Sequence, residues 1–425
     1  MGQNNFRKRY SAILSFLFIS YTMQNAYGSG FGIFTQSASS LGQGAAVVAH
    51  TDSPSTIFFN PALMNKLDGT QVELGTTLLF PRREFTSASS GNTFDTKDDV
   101  FFPSTFYITH KFNEKVSAGL GVFNPFGLGN NWGDTWEGKY LATNSEMATY
   151  NINPTISYRI FPGVSLAAGV DILILDATLE NKINLSGLAG APPGTIPDAG
   201  QKFRGDGTGI GFNVGVAADL SKDFALGVAY RSEIKVDPTG SVTFDIPNGV
   251  PGAIGSLLQN SGARTQITLP QQVYAGLSYR GIDPVTLEAG MRWEGWSSFQ
   301  QLKVDLDNGK SSTQTRNWKD TFAFNLGAQY KLNDMVTLRG GYLYGQNPVP
   351  DTTFEPAIPD SDTHLFCIGT GLKFKRLSLD LAYAYQLQEN RTKDNAIRDL
   401  SGSTANGKYS TDIHLLAASL KYEFQ

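Results

Sequence analysis

The residues of this chain best equipped to meet another molecule are apolar. Phe123, Phe126, Leu128, Trp132 and Trp136, with Pro125 and Tyr140, crowd the single stretch from Phe123 to Tyr140. Side chains of this kind hold oily matter by burying area; they do not move protons. Groups that could cut or transfer are dispersed. His50, His110, His364 and His414 lie far apart and lack the spacing of metal ligands. There is no Gly-x-Ser-x-Gly elbow and no glycine-rich phosphate loop carrying lysine. A hydrolase mounted on a sheet would need Ser and His side by side. His110 and His414, near strand bases, read instead as interfacial or lumen residues. The sequence therefore predicts no enzyme, no metal and no cofactor. A net charge of −4 provides no basic face for nucleic acid. A single cysteine, Cys367, permits no internal disulfide.

An apolar loop needs a frame, and the frame is written with a period of two. Ile210, Phe212, Val214, Val216, Ala218 and Leu220 share one parity, and Gly211, Asn213, Gly215, Ala217 and Asp219 the other. Phe322–Leu332, Leu377–Leu387, Val273–Tyr279, Val164–Ile174, Ile152–Ile160 and Val72–Phe80 alternate in the same way. Each stretch predicts a strand with one apolar face and one polar or small face. Short polar turns fall at Phe112–Lys115, Phe161–Val164, Leu220–Asp223, Arg280–Pro284, Leu332–Met335 and Phe374–Leu377. Long polar or Gly/Pro-rich connections fall between them, at 86–98, 125–146, 181–207, 237–265, 303–316, 347–361 and 390–409. Short and long alternate throughout, which predicts an all-β, up-and-down transmembrane barrel of about fourteen antiparallel strands. Charged residues at 17% and 45 glycines suit a wall with lipid on one side. Leu416, Ala418, Leu420, Tyr422 and Phe424 form a last strand like those that end outer-membrane proteins, although Gln425 follows the aromatic. Tyr330, Tyr342, Tyr344, Tyr383, Tyr385 and Tyr422 cluster near strand ends, where amphipathic rings suit the membrane–water interface.

Two ends of the mature chain do not alternate as a wall should. Arg7, Lys8 and Arg9 precede an apolar run to Met23, and Ala26-Tyr27-Gly28 is a small-x-small site. Residues 1–28 read as a signal peptide cleaved before Ser29, since the run is too short to cross a bilayer. Residues 29–69 are small and polar and end in Phe58-Phe59-Asn60-Pro61-Ala62-Leu63. A barrel of this size has an interior that side chains alone do not fill. A hatch or plug over 29–69, inside a barrel over 70–425, is the expectation; a free periplasmic tail is the other reading. In the third strand Val116, Ala118, Leu120 and Val122 alternate, then Asn124-Pro125-Phe126-Gly127 follows. Pro125 cannot donate to a ladder, so either it opens the external loop or the wall loses pairing there and opens sideways. The parity of Leu287–Trp293 is opposite to that of Leu302–Leu306, which predicts a bulge near Gly295. Glu288, Arg292, Asp171, Asp219, Arg339 and Asp380 are expected in the lumen, paired with one another or with the hatch.

Several strings taken together resemble the FadL family of outer-membrane long-chain fatty-acid and hydrocarbon transporters. Ser29-Gly30-Phe31 and Asn60-Pro61-Ala62 are similar to that family's hatch. Gly205-Asp206-Gly207, Gly211-Phe212-Asn213-Val214-Gly215 and Tyr230-Arg231-Ser232-Glu233-Ile234-Lys235 are similar to its middle strands. Trp296–Lys303, Gln346–Asp351 and Ile358–Asp362 match its C-terminal half. The resemblance implies capture of substrate at external loops, by Phe123, Phe126, Leu128, Trp132 and Trp136 here, and release through a gap at Asn124-Pro125. It implies basic lumen groups for a carboxylate head, with Lys303 at the matching position and inward by its parity. Near Asn181-Lys182 the chain departs from the family's other basic position, which leaves uncharged hydrocarbons open as substrates. A monomer among outer-membrane lipid and lipopolysaccharide is implied. A polar porin and a receptor without transport are the rival readings.

Overall fold

The computed structural model describes residues 30–399, 402 and 404–424. The expected signal peptide and its cleavage site lie outside them. The wall is a closed ring of fourteen antiparallel strands. They are β1 (Thr70–Ser87), β2 (Ser104–Lys111), β3 (Val116–Phe123), β4 (Asn144–Phe161), β5 (Val164–Ile183), β6 (Ala199–Asp219) and β7 (Phe224–Arg231). They continue as β8 (Gln272–Ile282), β9 (Val285–Glu294), β10 (Thr321–Lys331), β11 (Val336–Gly345), β12 (Thr363–Phe374), β13 (Leu377–Gln388) and β14 (Gly407–Phe424). Each pairs with the next, and β1 closes on β14 from Thr70↔Phe424 to Ser87↔Gly407. Closure removes sheet edges, which hydrocarbon cannot satisfy. No helix among the described residues is long and apolar enough to cross a membrane.

The alternation sorts residues as the sequence predicts. Ile210, Phe212, Val214, Val216, Phe324, Leu326, Ile368, Leu381 and Leu416 stand exposed on the outside, Ile210 by 74%. Asn213, Ala217, Ala323, Cys367, Ala382 and Ala417 on the opposite parity are buried. A wall exposing so much apolar surface is stable only in lipid. Tyr342 bonds His364 at 2.8 Å and Tyr383 bonds His414 at 2.8 Å. Both pairs lie on the outward parity, which for His414 is the interfacial reading.

Three expectations need correction above the ring. The connection predicted at 181–207 shrinks to the span between Ile183 and Ala199, because β5 and β6 run farther than expected. The connections 237–265 and 303–316 are partly strand: Thr239–Asp245, Ser261–Thr265, Gln301–Leu306 and Ser311–Thr315 continue the sheet outward. Outside lipid a strand needs no apolar face, so polar composition there does not mean loop. The slip near Gly295 is no one-residue bulge either. The chain makes a 3-10 turn at Trp296–Ser298 before pairing again at Gln301.

Residues 30–69 are enclosed by the strands. They hold short helices at Ala38–Leu41 and Thr56–Phe59 and a 3-10 turn at Pro61–Lys66. Ser37 caps the first by accepting from Ser40 N–H. Asn60 caps the third by accepting from Ala62 N–H, with Pro61 placed where no N–H is needed. The Asn60 amide also donates to Val48 O at 2.8 Å and to Val216 O at 2.9 Å on β6. The Glu288 carboxylate on β9 accepts from the backbone N–H groups of Val48, Ala49 and His50 and meets the His50 ring at 2.6 Å. Glycines in the wall make this approach possible. A Cβ at Gly227 would strike the Val48 carbonyl, and one at Gly341 would strike the Gln43–Gly44 backbone.

Candidate functional site

The ladder is broken at β3. β3 pairs with β2 as far as Phe106↔Val122 and with β4 as far as Phe123↔Asn151. Asn124, Pro125 and Phe126 then leave the sheet, and Gly127–Asn131 resumes pairing with β4 alone. Its free edge is met from inside: Ile33 N–H donates to Pro125 O at 2.8 Å, and Gly127 N–H donates to Phe31 O at 2.8 Å. Pro125 has no N–H to offer, so the strand cannot run straight through this level with full pairing. The break lies beside Ile152, Ile172 and Ile210, a row of the exposed belt in register across β4, β5 and β6. At Pro125 the chain is out of the ladder, between the pairing that ends at Phe123 and the pairing that resumes at Gly127. Asn124 steadies the turn by donating to Thr149 O at 2.6 Å, and Gln36 donates to Asn124 O at 3.0 Å.

The predicted capture residues are gathered here, but not as an open groove. Phe123, Phe126, Leu128, Trp132 and Trp136 are all at most 4% exposed. Phe123 sits 5.2 Å from the Phe58 ring. Phe126 lies 6.2 Å from Phe31 and 6.1 Å from Trp296. Trp132 stacks on Trp136 at 4.7 Å, capped by Phe85 and Tyr409. Aromatic side chains dense enough to bind an oily ligand also bind one another, which is why exposure was overestimated. Phe31, Trp296, Phe299 and Trp318 complete the cluster, with Phe31 4.5 Å from Trp296. Alternation could not reveal them, since none sits in a regular strand of the wall.

Lys303 is a second correction. It lies on the outer strand Gln301–Leu306, its side chain 48% exposed and 2.8 Å from Asp305. The turn at Trp296–Ser298 lifts this strand clear of the lumen, so parity counted from β9 no longer reports which side faces in. The other charges do face inward and pair as expected. Arg339 binds Asp380 and Asp52, both at 2.7 Å, and Arg292 lies 3.3 Å from Glu294. Arg231 pairs with Asp171, and Asp219 holds Lys66 and Arg280 at 2.6 and 2.9 Å. No group of three or more His, Cys, Asp or Glu side chains among the described residues is placed to hold a metal.

The first described residue is tied to the external loop between β11 and β12. Gly30 N–H donates to Asp360 Oδ2 at 2.7 Å, and Gln388 donates to Asp360 Oδ1 at 3.1 Å. Burial pushes the Asp360 carboxyl up to about 7, against these hydrogen bonds and the nearby Arg391 charge. Arg391 secures the same loop through Asn347, Val349, Asp351 and the Asp360 carbonyl. At the other mouth, among the short turns, lies a polar cavity of about 660 Å³ lined by Asp52, Lys66, Gln71, Arg339, Asp380 and Lys421. A crevice of about 10 Å³ lies inside between Phe34, Phe59, Tyr274 and Leu343.

A closed wall with an apolar exterior, a filled interior and an interrupted seam at β3 defines a transmembrane barrel of the outer membrane. The family described as outer membrane protein transport protein (OMPP1/FadL/TodX) matches residues 19–424, and the chain belongs to that family. It is 27% identical to the long-chain fatty acid transport protein of Salmonella typhi, over 85% of this chain and 88% of that one. It is 26% identical to a 47 kDa outer membrane protein of Pasteurella multocida, over 90% and 93%. A Pseudomonas aeruginosa FadL homologue shares the fold at a TM-score of 0.84, with 23% identity over 93% of this chain and all of that one. The Pseudomonas putida toluene transporter TodX shares it at 0.75, with 18% identity over 94% and 99%. The protein is thus an outer-membrane transporter of hydrophobic substrates, and its family consists of transport channels rather than enzymes.

Proposed function

We propose that this barrel admits long-chain fatty acids at the external loops and releases them sideways at Asn124-Pro125, with residues 30–69 acting as the hatch. The observation that carries the reading is the edge of Gly127–Asn131, bonded to the N-terminal segment instead of to β2. Main-chain bonds between Phe31–Ile33 and Pro125–Gly127 can part without breaking any pair of wall strands. The route straight down is unfavourable, because it leads an acyl chain into a charged cavity at a loss of about 0.8 kcal/mol per methylene. The aromatic cluster around Phe126 and Trp296 supplies the apolar path above the break. The fatty-acid relatives support that substrate class. The protein works as a monomer among outer-membrane lipid and lipopolysaccharide.

One observation favours uncharged substrates. Arg231, Arg292, Arg316 and Arg339 in the interior are each already paired with a carboxylate, and Lys303 stands outside. The test is uptake of a labelled long-chain fatty acid and an aromatic hydrocarbon by cells lacking their own transporter. Uptake above the empty vector is expected for the acid. Uptake of neither, together with large steady conductance in planar bilayers, would make the protein a polar porin.

A further inference from the structure

Beside the break in β3, four buried polar atoms have no partner among the described residues. They are Asn124 Oδ1, Asn151 Oδ1, Asp171 Oδ2 and Arg231 Nε. Their residues are 0 to 3% exposed. Asp171 is the hub: its Oδ1 accepts from Asn151 Nδ2 at 2.6 Å and from Arg231 Nη1. Asn151 stands opposite Phe123 in the ladder, and Asn124 is the next residue along the kink. The rings of Phe58 and Phe123 lie 5.4 and 5.2 Å from the guanidinium, and Nη2 donates to Phe58 O at 3.4 Å. Polar atoms are thus left unserved between apolar walls, where each destabilises the protein unless something fills the place.

The unserved set is three acceptors and one donor. An ionised carboxylate would bring its oxygens against three oxygens, one of them anionic, while the Arg231 charge is already engaged by Asp171. A group that gives a hydrogen bond and accepts one fits: a hydroxyl, or the COOH of a protonated acid. We infer that Asn124, Asn151, Asp171 and Arg231 form a head-group site that takes the substrate's head in its neutral, hydrogen-donating form as the tail turns through the break. This rests on the proposed sideways release. The carboxylate gains one proton from water at the outer mouth and returns it after leaving, so no protein group changes charge. Neutralisation removes the large cost of carrying an ion into hydrocarbon.

The test compares uptake of a long-chain acid, the alcohol of the same chain and the methyl ester of the acid, which cannot donate. In Asn124→Leu, which removes an unserved acceptor and leaves the bonds of Asp171 in place, the acid-to-ester and alcohol-to-ester ratios should each fall about tenfold, the loss of one buried hydrogen bond. Assembly is checked by heat-modifiable mobility, and Asn124→Ala serves if Asn124→Leu does not assemble. Carboxyl-labelled acid bound to the wild-type barrel should show the infrared carbonyl band of the neutral acid. Unchanged ratios would mean that water alone fills the place and overturn the inference. A fall for the acid but not the alcohol would mean recognition of a charge and overturn it as well. Wild-type uptake of all three at empty-vector level would defeat the transport reading, and this site with it.

Discussion

The N-terminal segment touches the wall in two contrasting ways. Against β10, β11 and β12 the ladder is unbroken, from Val336↔Leu372 to Gly345↔Thr363 between β11 and β12, and the Gly42–Gly44 turn lies flat on glycines 327, 341 and 369. Against β3 the ladder is interrupted, and Phe31–Ile33 supplies the missing edge. One side has an intact wall with the segment fitted to it. The other has an incomplete wall that the segment completes. Under the proposed sideways release, the segment is anchored on the first side and exchangeable on the second, so the seam would open while the lumen stays blocked.

Breaking the anchored side should have the largest effect. Gly341→Val would drive its side chain into the Gln43–Gly44 backbone, with an expected loss of about 3 kcal/mol or more. Reduced assembled barrel by heat-modifiable mobility is the outcome to look for, and wild-type yield would refute the anchoring. Straightening the exchangeable side comes next. Asn124→Thr with Pro125→Val restores a donor at the break, and fatty-acid uptake should drop at least about tenfold while assembly persists. Normal uptake would rule out the seam as exit.

Removing one tie between the segment and β6 is a smaller change. Asn60→Ala loses a cap and the bonds to Val48 O and Val216 O, worth about 2 kcal/mol together. Leak conductance in bilayers should rise without loss of the barrel. The smallest effect is one of pH at the tie between Gly30 and the β11–β12 loop. Asp360 is raised from 3.8 to about 7 by burial, so between those values the closed arrangement holds a proton that an opened, solvated Asp360 releases. The contribution of Asp360 to closure is therefore fullest below 3.8, is lost progressively as pH rises from there to about 7, and changes no further above that. After correction for intrinsic exchange, hydrogen exchange at Gly30–Ile33 should quicken across that range, and Asp360→Asn should abolish the dependence.

Some of this was legible in the residues. The parity of Ile210–Leu220 told which side chains face lipid, because a strand has only two faces. Pro125 marked a place where the ladder lacks a donor, but Pro81 and Pro154 stay within paired strands, so the residue alone did not say that the strand leaves the wall there. Lys303 misled, since parity carries information only while the strand stays in the wall, and the turn at Trp296–Ser298 ends that. The capture residues Phe126, Trp132 and Trp136 form a packed cluster, because composition cannot say whether aromatic rings meet a ligand or each other. Arg231 stood in a quoted motif with no role attached, since its partner Asp171 lies on β5, with β6 between them.

By itself, then, the sequence determined a lipid-facing barrel and its strand number, and marked Pro125 as an exception in its third strand. These follow from periodicity, turn length and one imino acid, all local properties. The meeting of Gly30 with Asp360, of Phe31 with Gly127 and of Asn151 with Asp171 and Arg231 was decided only by the closed ring. A cylinder brings distant strands and an enclosed segment into contact, and no spacing along the chain encodes which groups are then left facing one another.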